Sequence, residues 1–173
     1  MCGIVGGITS KNITPLLLDG LKRLEYRGYD SSGLVILSQD NKLVRERAAG
    51  KVSNLENNLK LKKPSLKGNV GLAHTRWATH GKPSVNNAHP HISKNSISVV
   101  HNGIIENYID LKNLQMKQGY AFTSETDTEV IAHAIESAIK PSESLLKATQ
   151  KAIKTLNGSY GIGVLSSKYP DQI

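Results

Sequence analysis

Met1-Cys2-Gly3-Ile4-Val5-Gly6-Gly7-Ile8 opens the chain. Cys2 to Ile8 reads as a strand, and Gly3, Gly6 and Gly7 inside it mark close approach of other backbone. The strand is headed by the single cysteine of the sequence, directly behind an initiator methionine that is readily removed before a small residue. A lone cysteine is most often a small buried hydrophobe. A cysteine that becomes the first residue is different, because it joins a nucleophilic sulfur to an α-amine of pKa about 7.7–8.0. That amine can act as general base, directly or through a water, so acyl-enzyme chemistry needs no separate histidine. Position alone leaves the packed and the nucleophilic readings both open.

Working outward, Thr14-Pro15 reads as a cap with a first-turn proline. Leu17, Leu18, Leu21 and Leu24 give the helix that follows one apolar face, and Gly28 ends it. Leu34–Leu37 and Leu43–Arg47 form a hairpin around Asp40-Asn41, and Val52–Leu61 reads as a helix. Val70–Ala73 and Ile97–Val100 are apolar runs suited to buried strands. The long polar segment between them, Thr75 to Asn95, has the length of a functional loop. A helix spans Tyr108–Lys117. Thr126 and Glu129 form a capping-box pattern ahead of the stripe Val130, Ile131, Ala134, Ile135, Ala138 and Ile139. A further helix covers Ser142–Leu156, and Tyr160–Leu165 reads as a strand. The class is α/β or α+β.

At 173 residues the chain suits one ordinary domain. An apolar fraction of 38% and a charged fraction of 21% fit a globular protein. No run approaches the roughly 18 apolar residues of a membrane span, and no basic-then-apolar leader precedes the first strand. One cysteine excludes an internal disulfide and fits a reducing compartment, so a cytoplasmic location is expected. The net charge is +8, from 22 basic and 14 acidic residues. Apart from Lys60, Lys62, Lys63 and Lys67 these charges are scattered, and only 5% of residues are aromatic, which speaks against a nucleic-acid footprint.

Several residues can carry chemistry. Arg76 can grip a carboxylate bidentately, or simply anchor a loop beside Trp77. Trp77 can cover a pocket, and the Thr79 hydroxyl can donate to a ligand. Asn102 with the Gly103 N–H can stabilise an oxyanion, although Asn-Gly between apolar runs is also the strongest type I′ hairpin signal. Asp127, in the first turn of the expected helix, can complement the dipole or hold an ammonium group. Arg27 can be an ordinary cation at a helix C-terminus. His89-x-His91, His80 and His101 can gather, but structural zinc wants thiolates, so no metal and no other cofactor is expected.

Taken together, five motifs in order resemble the class II glutamine amidotransferases. They are Met1-Cys2-Gly3-Ile4-Val5-Gly6, Glu25-Tyr26-Arg27-Gly28-Tyr29-Asp30-Ser31-Ser32-Gly33, His74-Thr75-Arg76-Trp77-Ala78-Thr79-His80-Gly81, His101-Asn102-Gly103-Ile104-Ile105-Glu106-Asn107 and Ser124-Glu125-Thr126-Asp127-Thr128-Glu129-Val130. Their wording is similar to the glutamine–fructose-6-phosphate aminotransferase branch, more than to amidophosphoribosyltransferases or asparagine synthetases.

The resemblance implies an α+β fold, the four-layer αββα N-terminal-nucleophile sandwich, and L-glutamine as substrate. It implies that Cys2 attacks the side-chain amide while Asn102 and Gly103 hold the oxyanion. It further implies that Arg76 binds the substrate carboxylate, Asp127 its ammonium, and Thr79 and His80 make further contacts. Arg27 is placed near the nucleophile, and Trp77 in a loop closing over glutamine. Family members continue with more of the glutaminase domain and a sugar-phosphate isomerase half, and the full enzyme is expected as a homodimer. Residues 1–173 are therefore expected to be a partial, C-terminally truncated glutaminase domain. A catalytically inactive fragment or a glutamine-binding module is the rival expectation.

Overall fold

The computed structural model of the chain describes residues 2–61, 66–78, 80–141 and 143–173. Met1, Lys62, Lys63, Thr79 and Ser142, on which expectations fell, lie outside the described residues. Among the described residues, seven strands form two antiparallel sheets, and four of five helices pack on their outer faces. The first sheet has the order β1 (Gly3–Ile8), β4 (Gly68–Arg76), β2 (Ser31–Ser38), β3 (Leu43–Ala49). In the second, β6 (Ile97–Ile105) lies between β5 (His91–Ser93) and β7 (Gly158–Ser166).

Alternation along the strands sorts the core into layers. Ala73 of β4 faces α1 (Thr14–Leu24) and α2 (Val52–Leu61), where Leu17, Leu21, Leu34, Ile36 and Leu55 are fully buried. Val70 and Leu72 face the other way and pack with Val35, Val100 and Leu165 between the sheets. Ile97 and Val99 of β6 face α4 (Glu129–Ala138) and α5 (Leu145–Ile153), whose Ile131, Ile135 and Leu145 complete the third layer of core. The remaining helix, α3 (Tyr108–Lys117), lies against α4. This is the expected αββα sandwich. No helix among the described residues is long and apolar enough to cross a membrane.

Several local expectations need correction. The helix α1 is capped at Ile13, not Thr14; Asn12 Oδ1 instead accepts from the Thr14 N–H at 3.4 Å and from its hydroxyl at 3.2 Å. Asn102-Gly103 is no hairpin turn. The strand β6 runs straight through it, with Asn102 opposite Gly161 and Gly103 opposite Tyr160 on β7. Gly103 has φ 137°, and an added Cβ would meet the Ser159 carbonyl oxygen at 2.2 Å, so only glycine lets the strands meet there.

The capping box also fails. Thr126 lies ahead of the helix, whose first residue is Glu129. The Glu129 carboxylate takes the backbone N–H groups of Thr123 and Ser124, plus both hydroxyls. Asp127 accordingly precedes α4, outside its first turn. The helix expected from Ser142 begins at Leu145, where the Ser144 hydroxyl accepts the Lys147 N–H at 3.3 Å. The polar segment before Asn95 contains the short strand β5.

Candidate active site

Period-two alternation delivers polar residues to one end of the space between the sheets. On β4, Val70 and Leu72 are followed on the same face by His74 and Arg76, and on β6 Val100 is followed by Asn102. The inter-sheet layer thus turns from apolar to polar as it approaches the end where β1 begins. Gly3 is paired with Thr75, which sets Cys2 beside Arg76 and Trp77. A narrow cleft opens there. Cys2, Arg76, Trp77 and His80 line one side, and His101, Gly103, Thr126, Asp127 and Thr128 the other.

Cys2 is partly exposed, and its sulfur accepts the Trp77 N–H at 3.1 Å, with the Trp77 carbonyl at 3.5 Å. The Asn102 amide Nδ2 points at the Cys2 carbonyl oxygen, 3.4 Å away. Its other atom, Oδ1, is 2.8 Å from His74 Nε2. The Trp77 indole is half-exposed and rests over Gly28, where an added Cβ would meet its ring at 2.5 Å.

Arg76 is 3% exposed, and three hydrogen bonds hold its tip. Its Nη1 donates to Asp30 Oδ1 at 3.2 Å, and its Nη2 to the carbonyl oxygens of His80 and Gly81, the latter at 2.8 Å. Asp127 is also buried, and its Oδ2 accepts the Ile105 N–H at 2.8 Å. A cation and an anion therefore face the same cleft from opposite sheets. That pair matches the two charged ends of an amino acid.

Behind the cleft sits a group of buried imidazoles. The His89 ring lies 4.2 Å from that of His74 and 4.9 Å from that of His91. Thr128 Oγ1 contacts both His89 Nε2 (2.7 Å) and His101 Nδ1 (2.9 Å), and Thr126 Oγ1 contacts His91 Nε2 (3.1 Å). Burial is the main reason that all four are held neutral: His74 is lowered to about 4, and His89 and His91 well below 6.5. Burial lowers His101 too, against the opposing pull of Asp127. Arg47 Nη1 fastens the segment carrying His89 through the carbonyls of Asn86 and Ala88, both at 2.9 Å. Among the described residues no group of three or more His, Cys, Asp or Glu could hold a metal ion.

Of the residues singled out from sequence, Cys2, Arg76, Trp77, His80, Asn102, Gly103 and Asp127 come together at this cleft. Arg27 is exposed in the 3-10 turn Glu25–Arg27, one residue before Gly28, and is not a lining residue. Sequence reasoning missed Asp30, His74 and Thr128 as parts of the site. Asp30 and His74 stand inside the quoted motifs, but their roles depend on partners far along the chain.

A cysteine at the head of an edge strand, in an antiparallel αββα sandwich with amide and charged groups around its sulfur, defines an N-terminal-nucleophile hydrolase. The chain belongs to the glutamine amidotransferase family: the family model described as a glutamine amidotransferase domain matches residues 74–171. Over all 173 residues the chain is 53% identical to the glutamine–fructose-6-phosphate aminotransferase [isomerizing] of Pseudomonas putida, and 52% to that of Acinetobacter baylyi. It spans 28% of the length of each. Among solved structures, the glutamine phosphoribosylpyrophosphate amidotransferase from B. subtilis matches 96% of this chain and 35% of its own, with TM-score 0.72 and 26% identity. A structure of the allosteric regulatory enzyme of purine biosynthesis matches 95% of this chain and 36% of its own, with TM-score 0.77 and 28% identity.

Proposed function

We propose that the chain hydrolyses L-glutamine to glutamate and ammonia through a thioester on Cys2. The observation that carries this reading is the convergence of Cys2, Arg76 and Asp127 on one cleft, with the Asn102 amide beside the nucleophile. Arg76 binds the α-carboxylate of glutamine and Asp127 its α-ammonium, which leaves the side-chain amide over the sulfur. His80 and Trp77 line the same cleft and complete the pocket, and Thr79 is assigned a further glutamine contact on the resemblance of its motif alone.

Once Met1 is removed, the Cys2 amine takes the thiol proton as sulfur adds to the amide carbon. Asn102 Nδ2 and the Gly103 N–H receive the oxygen that becomes negative. Collapse breaks the C–N bond, and the proton held by the amine leaves with ammonia. Water then attacks the thioester, releasing glutamate and restoring the thiol. No cofactor takes part. In the longer proteins it resembles, we infer that the ammonia passes to a sugar-phosphate synthase domain for amination of fructose 6-phosphate. The lone reduced cysteine supports a cytoplasmic setting.

The test is intact-mass spectrometry before and after treatment with 6-diazo-5-oxo-norleucine. Loss of the Met1 mass and one adduct on Cys2, prevented by glutamine, is the expected result. A retained Met1, or an adduct indifferent to glutamine, overturns the reading.

A further inference from the structure

His74, to which the mechanism above gives no role, lies 2.8 Å from the Asn102 side-chain oxygen. We propose that His74 is the positioning residue of the oxyanion site: its Nε2–H holds Asn102 Oδ1 and thereby turns the Asn102 amide N–H toward the reacting carbonyl. This rests on the glutaminase reading above and adds to it a residue without which only the 3.4 Å contact with the Cys2 carbonyl oxygen orients the Asn102 amide.

The orientation follows from the partners of one nitrogen. His74 Nε2 lies 3.0 Å from the His101 carbonyl oxygen and 2.8 Å from Asn102 Oδ1. A carbonyl only accepts, so Nε2 must carry the proton and donate to both. The reversed amide would set Oδ1 against the Cys2 carbonyl oxygen at the 3.4 Å now spanned by Nδ2. It would also leave His74 Nε2 with a lone pair facing the His101 carbonyl. Both arrangements are repulsive, so a single amide rotamer satisfies the network.

The ring itself cannot turn away. His74 is fully buried, with His89 lying across it at 4.2 Å. His89 can approach because β2 has Gly33 opposite His74; a Cβ there would stand 2.2 Å from the His89 carbonyl oxygen. Burial lowers His74 to about 4, so at neutral pH it carries one ring proton, and the two carbonyl acceptors place that proton on Nε2. The remaining nitrogen, Nδ1, is buried without a partner and offers no competing donor.

Four variants of the chain test this: His74→Leu, His74→Gln, Asn102→Ala and the Leu–Ala double replacement. Glutamine turnover and Cys2 alkylation by iodoacetamide are followed in parallel. Iodoacetamide reacts by displacement at a methylene and builds no oxyanion, so it reports nucleophile and fold but not amide placement. His74→Leu is expected to lower kcat by ~10²-fold, the scale of losing one oxyanion donor, with glutamine KM and the alkylation rate within about threefold. His74→Gln, whose Nε2 reaches the same place, is expected to recover about tenfold of that loss. In the Asn102→Ala background, His74→Leu is expected to cost less than about threefold more.

Equal falls in turnover and alkylation, or additive losses in the double variant, overturn the proposal. Absence of glutamine turnover in the parent chain defeats the glutaminase reading instead. In that case nitrogen-15 NMR of the imidazole still decides the positioning role: a protonated Nε2 and an Asn102 amide resonance displaced by His74→Gln support it, while a proton on Nδ1 overturns it.

Discussion

Asp30 reaches across from the start of β2 to hold Arg76 at the end of β4, with Oδ1 and Nη1 3.2 Å apart. Arg76 is almost fully buried, and Asp30 is the one carboxylate among its described partners. Removing one member of a buried ion pair leaves the other uncompensated, at a cost of about 3–5 kcal/mol. Asp30→Asn is therefore expected to lower stability by about 3 kcal/mol and, if Arg76 binds the substrate carboxylate as proposed, to raise glutamine KM, because a loosened guanidinium meets that carboxylate less well. Denaturant unfolding and steady-state kinetics check both. An Asp30→Asn protein with the parent's midpoint would show that Arg76 is held by the His80 and Gly81 carbonyls alone.

The buried imidazoles predict how stability changes with acidity. Burial lowers His74 to about 4 and His89 and His91 well below their ordinary 6.5. Well above pH 6.5 these rings are neutral in folded and unfolded chains alike, so they contribute no slope. As pH falls below 6.5 the unfolded chain gains protons that the folded one refuses, and stability declines. The His74 contribution levels off near pH 4, where its folded form also protonates. At pH 5.5 the loss is on the order of 1 kcal/mol per ring. Urea unfolding between pH 7.5 and 5.5 should show this decline, and His91→Gln should make it shallower. A flat profile would mean that the rings protonate in place.

Gly28 and Trp77 give an optical handle on the cleft. Gly28 has φ 80° and ψ 142°, a region open essentially to glycine, and its missing Cβ leaves room for the indole. Gly28→Ala is expected to push the ring aside, and with it the backbone N–H that contacts the Cys2 sulfur. Trp77 is the sole tryptophan, so its emission reports the movement directly. A shifted emission spectrum with kcat down roughly tenfold and an intact cooperative transition is the expected pattern. Unchanged emission would place the strain elsewhere.

Local periodicity made much of this fold legible. The limits read for α2 and α3 are those observed, and Val130, Ile131 and Ile135 of the α4 stripe are fully buried as its pattern requires. Failures came where long-range pairing overrides a local signal. Asn102-Gly103 has turn chemistry, yet β7 supplies Ser159-Tyr160-Gly161 opposite it and draws it into the sheet. Thr126 and Glu129 have capping-box spacing, yet Thr126 is taken by Ser124 and His91, and Glu129 by Thr123 and Ser124. In the cleft, residues whose chemistry suffices to suggest a role were found from sequence. Asp30 and His74 act only through Arg76 and Asn102, and no local pattern announces such a partnership.

Asp127 provides the sharpest discrimination between binding and architecture. Its Oδ2 accepts the Ile105 N–H at 2.8 Å, a bond that an asparagine oxygen can replace. Asp127→Asn should therefore keep the fold while removing the charge proposed to face the substrate ammonium. Losing a charge-assisted contact of about 1.5–3 kcal/mol corresponds to a rise in KM of roughly 10- to 100-fold. The variant should also lose its preference for glutamine over glutaramate, the analogue lacking the α-amine, because nothing then rewards that amine. Equal kcat/KM for the two amides in Asp127→Asn, against a clear preference in the parent, is the expected outcome. If the variant keeps the parent's preference, the ammonium is recognised by another group and Asp127 serves only to anchor the end of β6.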